Sequence, residues 1–407
     1  MLTQAQRVKG IYLTKDSSSA PPSLFEYTYY ALILYGIAGA AWGFSAPMIG
    51  AGSLAVLAAF CIMRLGSRAM SVYAPIAFPL GCAISVIVLQ VSLHSESLME
   101  DSLRQFVIWI LSLFIVQSLC LSQGFLHRFA VAAFTIGLTV VPYLQVYVSG
   151  AQYQRFGLDR TIGGLANPND LAAWFGFCSV YFIILGIETK RAVVRVASWL
   201  VAIGCLYIIG LTLSRGPLFA SAIAVSIALR RLLKRGFLPV LFLMILCWLV
   251  YESGLFERIA AFYTLRSTEE TGRLLVWPLV VQRFLSAPLT GVGMSNIATP
   301  VSFDGPSITP HSGFLFIALA SGIIPLAFFV AYWWRAAWGA LRAYAEQTAD
   351  TPFCIPLLIY AFLITLTGNL PFMAPWVIVT LSTAMTASAL PRRRLIVMRQ
   401  VGKETTA

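Results

Sequence analysis

The chain is built from successive apolar runs, most of them close to the roughly 20 residues that a helix needs to cross a bilayer. Hydrophobic residues fill 59% of its 407 positions and charged residues 11%, against roughly 25% charged in a soluble domain. So few charges cannot clothe a water-facing surface of this length. A bilayer accepts such a composition if each crossing satisfies its own backbone groups, as helices and closed barrels do. The runs are continuous and lack strict period-two alternation, which selects helices. The expected fold is all-α, a polytopic integral membrane protein with about twelve transmembrane helices.

The spacing predicts spans over 27–44, 47–63, 72–93, 105–121, 129–148, 171–187, 193–213, 217–233, 237–251, 312–334, 352–370 and 375–390. They form one transmembrane domain, 27–390, between an N-terminal segment 1–26 and a C-terminal tail 391–407. With both termini in the cytoplasm, most of the 28 Lys and Arg fall on the cytoplasmic side, among them Arg7, Lys9, Arg128, Arg230, Arg231 and Arg392. The polar start of the chain is not a cleavable signal, so the first span serves for insertion. Two long loops then lie outside, 149–170 and 252–311, the second before the tenth span. Loops of that length carry function or are disordered. The stretch from Arg273 to Arg283 is apolar between two arginines, and is expected as a short interfacial helix.

Several function classes recede on this reading. The net charge of +12 sits in short clusters between apolar runs, as orientation signals do, so nucleic acid is not an expected partner. Seven scattered cysteines without a CxxC form neither a disulfide framework nor a metal cluster. There is no HExxH and no DxD among the outer segments, so no metal or other cofactor is expected. The spans are nearly free of ionisable residues, which disfavours an ion-coupled carrier.

The eight outer arginines run against the orientation bias. Arg215 lies in Leu213-Ser214-Arg215-Gly216-Pro217, between two predicted spans; Arg273 follows Gly272; Arg160 precedes Gly163-Gly164 and Asn167-Pro168-Asn169-Asp170. A guanidinium fork matches phosphate geometry with paired charged hydrogen bonds, and it also anchors spans among lipid headgroups. Asn167 reads as a helix cap. Of three histidines, His127 and His94 are expected at the surface. His311 directly precedes the tenth predicted span, where an imidazole can take a proton from a hydroxyl or simply begin a helix.

Together, Gly163-Gly164 with Asn167-Pro168-Asn169, Ser214-Arg215-Gly216, Gly272-Arg273 with Trp277, Pro288 with Gly291 and Gly293, and His311 resemble the O-antigen ligase and polymerase superfamily of bacterial membrane proteins, over 160–334. The resemblance implies a metal-independent, inverting glycosyltransferase in the bacterial inner membrane, working at the periplasmic face. Its donor would be an undecaprenyl-diphosphate-linked glycan. Its acceptor would be lipid A-core, in a ligase, or another lipid-linked glycan, in a polymerase. His311 would fill the family's catalytic histidine position, and Arg215 and Arg273 its arginine positions, with Arg160 a third diphosphate-binding candidate. The family histidine is commonly followed by asparagine, whereas Ser312 follows here. The alternative from another class is a membrane transporter of polysaccharide or lipid-linked sugar, which requires polar residues through the middle of several spans.

Overall fold

The computed structural model describes residues 23–38, 47–97, 101–122, 124–148, 154–157, 165, 167–233, 248, 252, 272–300, 307–346, 351–368 and 373–387. Helices dominate them, as expected. In chain order these are α1 (Leu24–Ala38), α2 (Pro47–Leu65), α3 (Ala69–Tyr73), α4 (Ala77–Leu93), α5 (Asp101–Leu119), α6 (Phe125–Val140), α7 (Pro168–Glu188), α8 (Ala192–Thr212), α9 (Arg215–Leu233), α10 (Gly272–Ser286), α11 (Gly313–Ser321), α12 (Ile323–Glu346), α13 (Thr351–Thr367) and α14 (Met373–Ala387). Of two short antiparallel hairpins, β1 (Gln145–Val148) with β2 (Gln154–Gly157) takes up the end of the predicted span 129–148, whose helix stops at Val140, and part of the loop after it, and β3 (Thr299–Pro300) with β4 (Ser307–Ile308) lies in the second long loop. Among the described residues, five helical runs are long and apolar enough to cross a membrane: Met48–Leu93, Ser102–Leu119, Phe125–Tyr143, α7 and α8. The predicted span 237–251 lies outside the described residues except for Trp248.

The core is organised around α7. Nearly every residue from Pro168 to Ile187 is buried, and α6, α8, α9, α13 and α14 pack around it. A helix apolar on all sides belongs at the centre of a bundle. Asn167 caps its start, accepting from Asn169 N at 2.9 Å, and Pro168 supplies a fixed φ at the first helical position. Gly176 lets three helices close together. A Cβ there would overlap Tyr360 Oη of α13 and stand 2.9 Å from Ser221 Oγ of α9. Tyr360 Oη also donates to Ala173 O at 2.7 Å, so the buried phenol is satisfied by the α7 backbone.

The predicted tenth span is two helices rather than one. α11 and α12 meet at Gly322, whose φ is +83°, and the ring of Phe314 lies 5.1 Å from that of Phe329. In one continuous helix those residues would stand about 22 Å apart. The chain therefore reverses at Gly322 and α11 folds back along the first half of α12. The outgoing loop straps this reversal: Val292 N donates to Leu319 O (2.8 Å), Gly293 N to Ala320 O (3.1 Å) and Ile323 N to Pro288 O (2.8 Å). Only glycine fits, because a Cβ on Gly322 would overlap the Leu289 carbonyl.

At the opposite end of the bundle, Glu26 of α1 is fully buried and receives two bonds from Arg128 of α6 (2.7 and 2.9 Å) and one from Tyr30 Oη (2.6 Å). His127, expected at the surface, is instead half-buried against Tyr181 Oη and the Phe353 ring. Its neighbours come from the end of α7 and the start of α13.

Candidate active site

His311 is held in an unusual backbone conformation. Its φ is +48°, in the left-handed region, and it is half-buried between buried Pro310 and buried Ser312. A non-glycine residue there costs on the order of 1–3 kcal/mol and persists only when its surroundings fix it. One fixing contact comes from α10, where Trp277 Nε1 donates to Pro310 O at 2.8 Å. α10 also contains Arg273 as its second residue, about one helical turn from Trp277. The helix expected between Arg273 and Arg283 is thus present, and it is bonded to the residue before His311. Arg283, the second arginine of that stretch, donates to Ala298 O (3.0 Å) and Asn296 O (2.8 Å) and so closes the loop behind this helix.

Arg215 is the first residue of α9. It is half-buried, with its Nε and Nη2 atoms buried. The turn before it is tight because Leu213, at φ +51°, ends α8 in the left-handed conformation.

The helix contacts set relative depth. Ser221 and Tyr360 meet at Gly176, and Arg215 lies six residues before Ser221, about 9 Å towards the end of the bundle that holds Asn167. Phe362, two residues beyond Tyr360 in that same direction, lies 5.7 Å from the Phe314 ring, and Phe314 is three residues after His311. α13 therefore stands between the helix that begins with Arg215 and the helix that follows His311, in contact with both α9 and α11. Arg160 lies outside the described residues, so only the expectation stands for it.

Ser312 is buried, and its Oγ has no hydrogen-bond partner among the described residues. A buried hydroxyl left in that state costs stability, on the order of 1–3 kcal/mol. Such a group beside a candidate base offers a ready contact to a hydroxyl-rich ligand.

Residues 199–330 match the family model described as O-antigen ligase. The resemblance to the O-antigen ligase and polymerase superfamily is shown by that match. The ligase-family region runs from Trp199 in α8 to Val330 in α12 and takes in Arg215, Arg273 and His311. It leaves out Arg160 and everything before α8. No curated protein matches the chain.

Sequence reading missed a set of residues that hold the site from outside the ligase-family region. His94, expected in solvent, has Nε2 3.2 Å from Thr290 O, and nearby Glu96 is buried and accepts from Ser295 N at 2.9 Å. Gln90, also buried, bonds both Ala320 O and Met294 N. A carboxamide in the otherwise apolar run 72–93 was the one visible signal.

Proposed function

We propose that the protein is a membrane glycosyltransferase that moves an undecaprenyl-diphosphate-linked glycan to an acceptor sugar hydroxyl at the periplasmic face, without a metal ion and with inversion. The observation that carries this reading is the 2.8 Å bond from Trp277 to Pro310, which ties the helix of Arg273 to the segment of His311, inside the ligase-family region.

In this scheme the His311 imidazole takes the proton of the acceptor hydroxyl as its oxygen attacks the anomeric carbon. The bond from that carbon to the diphosphate oxygen breaks, and its electron pair leaves with undecaprenyl diphosphate. Arg215 and Arg273, with Arg160 as a third candidate, hold the diphosphate where the extra negative charge develops. Contacts that strengthen with that charge lower the barrier more than they stabilise the bound substrate. The lipid donor carries its diphosphate at headgroup depth, which suits an arginine at a helix start near one end of the bundle, as Arg215 is. Ser312 Oγ, buried beside His311 without a hydrogen-bond partner among the described residues, is assigned to an acceptor hydroxyl.

Deletion followed by glycolipid gel analysis tests the assignment. Loss of a ligase leaves bare lipid A-core with lipid-linked polymer accumulating, and loss of a polymerase leaves single-repeat glycolipid. Glycan trapped on the cytoplasmic side would instead identify a transporter and overturn the proposal.

A further inference from the structure

The last turn of α4 and the residues after it grip the loop that joins α10 to the His311 segment. Gln90 is fully buried and uses its whole carboxamide: Nε2 donates to Ala320 O (2.7 Å) and Ser321 Oγ (2.9 Å), while Oε1 accepts from Met294 N (2.8 Å). Four residues on, the His94 ring bonds Thr290 O and packs on Gly293, where a Cβ would stand 3.0 Å from it. Glu96 then accepts from Ser295 N. Between these two, Ser95 holds a φ of +55°. Among the described residues the other non-glycine positive-φ positions are Leu213, beside Arg215, and His311. Backbone strain of this kind gathers where surroundings fix a functional geometry.

These contacts reach two segments at once. Thr290–Ser295 is the exit from α10, which carries Arg273 and Trp277. Ala320 and Ser321 end α11, which begins just after His311. A buried amide costs stability unless its donors and acceptor are bonded, and Gln90 satisfies that need only while both segments stay docked.

We infer that Gln90 is a positioning residue for glycan transfer: it locks the α11–α12 reversal to the α10 exit, so that the His311 imidazole and the helix of Arg273 keep a fixed separation. This rests on the glycosyltransferase reading above. Misplacing a reacting group by about 1 Å costs up to about 10²-fold in rate. A lock remote from the diphosphate lowers kcat and leaves the donor KM nearly unchanged.

The test compares wild type with Gln90→Met, which keeps the volume and removes all three bonds, and Gln90→Glu, which keeps the acceptor for Met294 N. On purified, reconstituted protein, kcat and donor KM are measured with the lipid-linked donor, together with hydrogen exchange at residues 290–296. For Gln90→Met the expected result is a kcat lower by about 10-fold or more, a donor KM within about 3-fold, and faster exchange at Met294. Gln90→Glu recovers part of the kcat. If Gln90→Met does not fold, Ser321→Ala removes a single partner and is expected to lower kcat by about 3-fold with KM unchanged. Wild-type kcat in the folded variant, with unaltered exchange at Met294, overturns the inference. If instead wild-type protein transfers no glycan from the lipid-linked donor, the glycosyltransferase reading fails, and the exchange result alone decides the lock.

Discussion

The indole of Trp277 donates to the carbonyl of Pro310 across 2.8 Å, so the helix that begins with Gly272-Arg273 is bonded to the residue before His311. Two parts of the chain that lie more than thirty residues apart are thereby held in one arrangement. Trp277→Phe keeps the ring bulk and removes the bond. It is expected to lower transfer by about 10-fold while the folded yield stays near wild type, because a single hydrogen bond contributes only about 1 kcal/mol to stability. Rate and yield measured on the same preparation check this.

Arg215→Ala is expected to lower kcat by about 10²- to 10³-fold, the usual cost of deleting a group that stabilises developing charge. Arg215→Lys keeps the charge but not the planar fork, and so recovers only part of the rate. Steady-state kinetics with the lipid-linked donor distinguish these outcomes from a headgroup anchor, for which lysine would serve as well as arginine.

Ser312→Ala separates stability from activity. The Oγ is buried without a hydrogen-bond partner among the described residues, so replacing the hydroxyl by hydrogen leaves the unfolding temperature unchanged or raised. Transfer is expected to fall by about 10-fold through a higher KM for the acceptor, consistent with one lost hydrogen bond to substrate. Thermal unfolding in detergent and acceptor titration provide the two readings.

Gly322→Ala places a Cβ onto the Leu289 carbonyl at a φ of +83° and a ψ of −167°, a region open essentially to glycine alone. It is expected to destabilise the reversal between α11 and α12 by about 3 kcal/mol or more. A lower unfolding temperature, together with easier proteolysis between Pro288 and Gly293, checks it.

Much of the fold is legible in hydropathy, since a run such as 193–213 leaves the chain nothing but a helix, and α8 forms over Ala192–Thr212. The Asn167 cap is legible for the same local reason. The reversal at Gly322 is not. Both of its arms are apolar, so the run 312–334 reads as a single crossing, and a hydropathy profile is blind to the direction of the chain. The roles of His94 and Glu96 are hidden for a different reason. Their partners Thr290 and Ser295 lie nearly two hundred residues away, and a polar turn beyond a span gives no sign of such a contact. In the candidate site, residue types and order pointed to Arg215, Arg273 and His311, whereas the Trp277 bond, the strained φ of His311 and the isolated Ser312 hydroxyl depend on tertiary packing.

The most direct measurement is the transfer rate of His311→Ala, reconstituted with a lipid-linked glycan donor and its acceptor. Removal of a general base predicts a fall of about 10²- to 10⁴-fold with the donor still bound. A rate within about 3-fold of wild type would contradict a role for this imidazole in proton transfer.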